Sequence, residues 1–342
     1  MRETQLSLDP GIAPVRETLI RLGLLDEVAE PEFTRLSGGV SSDIWLVEGV
    51  TGPLCVKRAL PQLRVNEQWV VPVERSVAEV AWLRWAGTIV PDAVPRVIAH
   101  DPVTNLFVMP YFDTATHPVW KHMLLDGVID PAVAQLVGEK LGRIHARTAG
   151  DEVIAAEFSN DHIFFSIRLE PYLLHSGRQH PDCAGALAAL VEITQQKRLA
   201  LVHGDVSPKN ILVGPTGPIF LDAECACYGD PAFDLAFCLN HLLLKCVVRR
   251  QYIEEYLRCF DVLTATYLTK VTWEPTADLG ARAAALLPGL MLARIDGKSP
   301  VEYLTVGEDK YTARVFARRL LLEPVRALEA IRIAWEAHLA NA

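Results

Sequence analysis

The 342-residue chain has no run of about 18 apolar residues free of charge, the length needed to cross a bilayer. Its richest apolar stretch, Phe233 to Val248, is broken by Asp234, Asn240, His241 and Lys245. Met1-Arg2-Glu3-Thr4 opens on charge rather than on an apolar segment, so neither an export signal nor a membrane span is expected. Cysteines number seven, an odd set scattered through the chain, with Cys238 and Cys246 in apolar runs. Such a set argues against a disulfide framework and suits reduced thiols in a cytoplasm. Cys225 and Cys227 form one C-x-C pair, but no second pair or histidine cluster completes four zinc ligands, so both are expected in the core. Basic residues are outnumbered, 33 Lys and Arg against 42 Asp and Glu, for a net charge of −9. That balance disfavours nucleic acid and anionic membrane as partners.

What is present is a globular balance, 50% apolar and 22% charged, in a chain long enough for two lobes. Residues 14–27 and 74–86 have helical spacing. Between and after them lie strand-like runs: Phe33 to Ser37, Asp43 to Glu48, Leu54 to Lys57 and Leu106 to Met109. Beyond Pro110 the pattern turns helical. Asp130-Pro131 is a cap followed by a first-turn proline and opens a helix to about Thr148. Further helices are expected near 182–198, 230–248, 250–269, 276–294 and 309–340, the last split by Pro324. Short strands are expected at Ala200–Val202, Ile211–Val213 and Ile219–Asp222. Strands segregated from helices predict an α+β fold, with lobe one over 1–112, lobe two over 113–342 and a ligand cleft between.

The chemistry-bearing residues concentrate in 201–236, LVHGDVSPKNILVGPTGPIFLDAECACYGDPAFDLA. His203-Gly204-Asp205 is followed by Asn210, then a hairpin, then Asp222. Phosphoryl transfer needs one carboxylate to orient the attacking hydroxyl and take its proton, and two oxygen ligands to hold Mg²⁺ on the phosphates. A loop H-x-D-x-x-x-x-N presents the base, Asp205, and a neutral metal ligand, Asn210, from one turn. The hairpin returns Asp222 to face Asn210 across the metal.

This is the catalytic-loop pattern of kinases, with Gly204 in place of the protein-kinase arginine and Asp222-Ala223-Glu224 in place of Asp-Phe-Gly. The segment resembles the aminoglycoside phosphotransferase and choline kinase superfamily, small-molecule relatives of protein kinases. Its closing run Gly229-Asp230-Pro231-x-x-Asp234-Leu235-Ala236 is complete. The resemblance covers roughly residues 33–245. It implies a protein-kinase-like two-lobe fold, ATP and Mg²⁺ between the lobes, and a small-molecule hydroxyl as acceptor.

In that frame Ser37-Gly38-Gly39 is the candidate phosphate loop, since glycines let the backbone approach phosphate. Lys57 stands where a strand lysine grips the α- and β-phosphates. Glu74 and Glu79 compete to pair with it, and Glu79 is preferred because Ala78 and Val80 flank it. Met109 and Tyr111 occupy the hinge that would meet adenine. Lobe one also resembles methylthioribose kinases, on Lys57-Arg58-Ala59-Leu60-Pro61, Leu63-Arg64-Val65, Glu67, Trp69, Arg75, Glu79 and Val108-Met109-Pro110-Tyr111. That likeness implies Glu224 as second metal acid. The chain departs from it at Asn210, where Ser is common, and only Arg294 corresponds to a late arginine pair. Asp234 is expected to hydrogen-bond the loop backbone, Asp230 to cap a helix, His203 to brace the loop, and His145 to sit in the core.

Ser207 replaces the lysine that Ser/Thr protein kinases carry two residues after the aspartate, and 223–229 leaves no room for an activation loop. A small-molecule kinase is therefore expected rather than a protein kinase. A catalytically inactive nucleotide-binding regulator would have lost Lys57, Asp205, Asn210 or Asp222, all present. The acceptor is expected to be a pentose-like sugar, neutral or anionic, with an aminoglycoside or amino alcohol as the alternative. Its lining is expected from Asp161 to Tyr172 and from Arg294 to Tyr303, with Ser207, Tyr172 and Arg294 as contacts.

Overall fold

Period-two alternation builds the first third of the molecule. In the computed structural model, which describes residues 11–28, 30–36, 41–50, 52–62 and 71–341, five strands form one antiparallel sheet. They are β1 (Phe33–Arg35), β2 (Ser42–Gly49), β3 (Gly52–Ala59), β4 (Ala99–Asp101) and β5 (Leu106–Pro110), in the order β1-β2-β3-β5-β4. Trp45, Val47, Leu54, Val56, Leu106 and Val108 point to one face, where Val15 and Leu19 of the helix Ile12–Arg21 cover them. Each such buried side chain contributes roughly 1.5–3 kcal/mol. The intervening residues Cys55, Phe107 and Met109 take the other face and join the main core, and Lys57 lies among them.

The N-terminal helix stops sooner than its apolar spacing over 14–27 predicts. Gly23 adopts φ +70° and donates to the Ile20 carbonyl, while Leu24 donates to Leu19, which closes the helix. The helix Arg75–Ile89 then crosses the inner face of the sheet and sends Val80, Trp82 and Leu83 into the core.

The remainder is helical. Pro131–Thr148 and Pro231–Val248 each begin with an aspartate cap, Asp130 or Asp230, and a proline in the first turn. Pro231–Val248 is long and apolar enough to cross a membrane, but it is 94% buried inside the fold, so its apolar surface is spent on the core. Ile253–Leu268 and Thr276–Asp296 pack around it. The expected last helix is split near Pro324 into Gly307–Leu322 and Leu328–Ala340. All seven cysteines are buried and free.

Several elements escape the periodicity. Trp120–Leu125, Glu152–Glu157 and Asp161–Phe164 are short helices. The last runs on as a π-helix over Phe165–Leu174, with Pro171 inside it, and then into His175–Gln179. A wider turn does not keep a 3.6-residue period, so pattern reading passes over it. Cys227–Gly229 pairs with Ala200–Val202, and Ile211–Gly214 pairs with Gly217–Phe220. These two ribbons frame the loop from His203 to Asn210.

Candidate active site

A cavity of about 790 Å³ lies between the inner face of the sheet and the helical part. Lys57, Glu79, Met109 and Tyr111 line it from the sheet side, and Asp205, Asn210, Asp222 and Glu224 from the other. Residues far apart in sequence thus share one space. Ser37, Gly38 and Gly39 lie outside the described residues, while the adjoining Ser41 and Ser42 line the cavity.

Lys57 Nζ lies 2.8 and 2.7 Å from the two oxygens of Glu79 and 2.5 Å from Oδ1 of Asp222. Glu79, not the exposed Glu74, meets it, because Glu79 faces the core side of its helix. Burial pushes Glu79 upward against the pull of Lys57, yet both its oxygens lie on the ammonium, the geometry of an ionised pair. Asp222 is held below its ordinary value, because Lys57 and then Lys209 outweigh its burial. Its φ of +67° is a left-handed conformation rare outside glycine, of the kind held in place at functional sites.

The His203–Asn210 loop is fixed from below. Asp234 accepts from the backbone N–H groups of His203 at 2.7 Å and Gly204 at 2.8 Å. His203 Nδ1 accepts from Asp205 N–H at 3.2 Å, which leaves Nε2 to donate to the Leu221 carbonyl at 3.1 Å. The ring is therefore a neutral brace. Burial holds its pKa below 6.5, and the edge of Trp82 packs at 4.6 Å. Gly204 sits at φ +78°, and a Cβ there would come within 2.8 Å of the Cys225 backbone oxygen, so the position requires glycine. His145 contacts Tyr267 and Asp234 inside the core.

Asp205 is almost wholly buried. Its Oδ2 meets Arg168 at 2.7 Å and Lys209 at 3.2 Å, while Oδ1 has no hydrogen-bond partner among the described residues. Burial raises its pKa, but Arg168 first and Lys209 second outweigh that and hold the carboxyl below 3.8. Asp205 is thus an ionised carboxylate with one oxygen left to receive a proton.

Asn210 Nδ2 donates to the Asp205 carbonyl, which leaves its amide oxygen for another partner. Glu224 is already engaged: its Oε2 lies 2.9 Å from Nε of the fully buried Arg75. Asn210, Asp222 and Glu224 therefore offer oxygen donors on one wall. Mg²⁺ takes one or two carboxylates and completes its shell with phosphate and water oxygens, so this donor set fits it. Among the described residues no group of three or more His, Cys, Asp or Glu gathers to hold a metal unaided.

Other expectations need correction. Ser207 is fully buried and does not line the cavity, because the extended backbone before the turn Pro208–Asn210 presents Lys209 and Asn210 instead. Arg294 does not reach the lining either. It stands behind the wall, donating to the Tyr172 hydroxyl at 3.0 Å and to Ser299. Of the two expected lining segments, only Ile167, Arg168, Tyr172 and Ser299 face the cavity. The acids there are spent elsewhere: Asp161 on Arg198, Glu170 on Arg178, Asp296 on Arg314, Glu302 on Lys121. Sequence reasoning assigned no role to Arg75, Lys121 or Lys209, and placed Arg168 in the acceptor wall without linking it to Asp205. Two had a usable signal: Arg75 is four residues before Glu79 on one helix face, and Lys209 is four after Asp205.

Residues 32–268 match the model of the phosphotransferase enzyme family, APH. The chain belongs to this family. A methylthioribose kinase of Pectobacterium carotovorum subsp. carotovorum (strain PC1) is 28% identical over 261 residues, 63% of this chain and 64% of that protein. One from Yersinia pseudotuberculosis serotype O:3 (strain YPIII) is 28% identical over 219 residues, 56% of this chain and 53% of that protein. The chain thus spans between half and two thirds of the length of these curated relatives. Among solved structures, choline kinase from Cryptosporidium parvum Iowa II superposes with a TM-score of 0.58 at 12% identity, covering 93% of this chain and 99% of that one. Amicoumacin kinase hAmiN in complex with AMP-PNP, Ca²⁺ and Ami gives 0.56 at 14% identity, covering 91% and 94%. The fold is the protein-kinase-like one.

Proposed function

We propose that this phosphotransferase is an ATP- and Mg²⁺-dependent kinase that phosphorylates a hydroxyl of a small molecule. The observation that carries the reading is the convergence of Lys57, Asp205, Asn210 and Asp222 on one cavity. The sheet and its helices, to about residue 112, serve as the nucleotide lobe, and the helical part from 113 holds the acceptor. Glu79 holds the Lys57 ammonium in the cavity, where it meets phosphate oxygens. Met109 and Tyr111 offer backbone groups to the base. Asp222 and Asn210 are the residues to hold Mg²⁺, with Glu224 committed first to Arg75. Bound there, the cation would draw charge from the phosphates and orient them.

Asp205 Oδ1 orients the acceptor hydroxyl and takes its proton as the oxygen bonds to the γ-phosphorus and the bond to the β-phosphate oxygen breaks. Arg168 and Lys209 fix the carboxylate in one orientation, so catalysis is positioning plus electrostatics. The matched relatives support a pentose-like sugar as acceptor; choline kinase and amicoumacin kinase keep an amino alcohol or an aminoglycoside-like amine in view. The test is twofold. AMP-PNP should bind only with a divalent cation present, and ATP should yield ADP stoichiometrically with a phosphorylated acceptor. Absence of metal-dependent nucleotide binding would overturn the reading.

A further inference from the structure

The two ends of the cavity differ in charge. At the nucleotide end each cation has its carboxylate: Lys57 has Glu79 and Asp222, and Arg75 has Glu224. At the acceptor end three cations line the wall, Lys121, Arg168 and Lys209, beside the carboxylate of Asp205, with Asp222 acting on Lys209 from the nucleotide end. Arg168 and Lys209 both lie on Oδ2 of that one group. Among the described residues Lys121 pairs with Glu302, whose side chain is 62% exposed and outside the lining, where water screens it.

Two more basic side chains stand behind this wall, buried and without a carboxylate partner among the described residues. Arg294 reaches only Tyr172 and Ser299. Lys245 Nζ meets the His241 carbonyl at 3.3 Å and lies 4.7 Å from the Tyr303 ring centre. The buried His241 registers the resulting field. Burial holds it well below 6.5, and Arg294, Lys245, Lys209 and Lys121 push it in the same direction. A buried guanidinium such as that of Arg294, without a carboxylate among the described residues, is costly, so this end is electrostatically incomplete.

We propose that the acceptor carries an anionic group, a carboxylate or a phosphate, in addition to the hydroxyl that is phosphorylated, and that Lys121 and Lys209 receive it beside Ser299 and Tyr172. The inference rests on the kinase reading and narrows it to hydroxy acids and hydroxyl-bearing phosphate esters. Only the Glu302 side of the Lys121–Glu302 pair is open to water, so a ligand anion inside the cavity can compete with it for the Lys121 ammonium. Choline-like and aminoglycoside acceptors would bring like charge to the same wall.

The test uses the full chain saturated with AMP-PNP and Mg²⁺, titrated calorimetrically with acceptors that share a skeleton. One set is glycerol, glycerate and glycerol 3-phosphate; another is ribose, ribonate and ribose 5-phosphate; choline and kanamycin form the cationic arm. The carboxylate or phosphate member should bind at least about 10-fold more tightly than its neutral counterpart, the scale of one charge-assisted hydrogen bond. Which of the two binds identifies the source of the anion. The preference should shrink as salt rises from about 0.05 to about 0.5 M. Lys121→Met should remove about 10-fold of it. Neutral or cationic members binding as tightly as anions, or no anion binding at all, overturns the proposal while ATP-dependent phosphorylation of another class leaves the kinase reading standing. Failure of AMP-PNP and Mg²⁺ to bind in the first titration removes both.

Discussion

Arg75 and Lys245 are both fully buried basic side chains, one on the helix behind the Lys57 end of the cavity, the other on the helix behind the Asp205 end. Arg75 is saturated. Its Nε meets Glu224 at 2.9 Å, and its terminal nitrogens donate to the carbonyls of Ser41 and Leu60 at 2.6 Å and of Pro72 at 2.9 Å. Lys245 has one carbonyl and one ring face. The guanidinium ties sheet, helix and Glu224 into one rigid unit. The lysine is brought down to about 7, by burial first, with Lys121 and Arg294 adding to it. The Lys57 end of the cavity therefore has its cations fully partnered, whereas the Asp205 end has buried basic groups with few partners among the described residues.

The sharpest way to separate the two ends is Asp205→Asn. The amide keeps the shape but accepts no proton, so turnover should fall by about 10²–10⁴-fold. Nucleotide binding should persist, because Asp205 has no bond to the Lys57–Glu79–Asp222 group. Steady-state ADP release and AMP-PNP titration check the pair, and an equal loss in both would show that the ends are not independent.

Glu224→Ala strikes the saturated end. It strands a buried guanidinium, so stability should fall by about 3–5 kcal/mol, read from the urea midpoint. Unchanged stability with a raised Mg²⁺ requirement would make Glu224 a metal ligand first and the partner of Arg75 second.

Lys245→Met strikes the unsaturated end with the opposite sign. Replacing an unpaired buried amine with an apolar chain should stabilise the fold by about 1–2 kcal/mol at pH 7. Lys245 falls from 10.5 to about 7 on folding, so its destabilising effect is complete below pH 7 and vanishes above 10.5. The benefit of the substitution should fade across that window in urea melts at several pH values. His203 and His241 act in the same direction at lower pH. Both are neutral in the fold and protonate on unfolding, so stability should decline as pH drops below 6.5.

Much of this molecule is legible locally. The aspartate-proline helix starts at 130 and 230, the alternation that turns Lys57 away from Leu54 and Val56, and the break at Pro324 follow from residues within a few positions of each other. The loop from His203 to Asn210 is equally local. Asp205, Asn210 and the brace His203 lie within eight residues, and Gly204 is dictated by its own backbone angle.

The stretch from Asp161 to Gln179 shows the limit. Its π-helical turns and internal proline carry no usable period, yet it delivers Arg168 to Asp205 and Tyr172 to the acceptor wall. Arg294 shows the same limit from the other side. Its helix was legible, but whether its guanidinium enters the cavity or stands behind Tyr172 depends on how that helix packs on the π-helical segment.

The sequence by itself determined which side chains meet at the site, because Asp205, Asn210 and Asp222 are written into one loop and one hairpin. Only the tertiary structure decided how charge is distributed around them. Arg75 and Glu224 are 149 residues apart, and Lys57 and Asp222 are 165 apart. Coulomb energy depends on distance in space and on burial. Neither is encoded in the short-range periodicity of the chain, so the paired nucleotide end and the cation-rich acceptor end emerge only once the helices are packed.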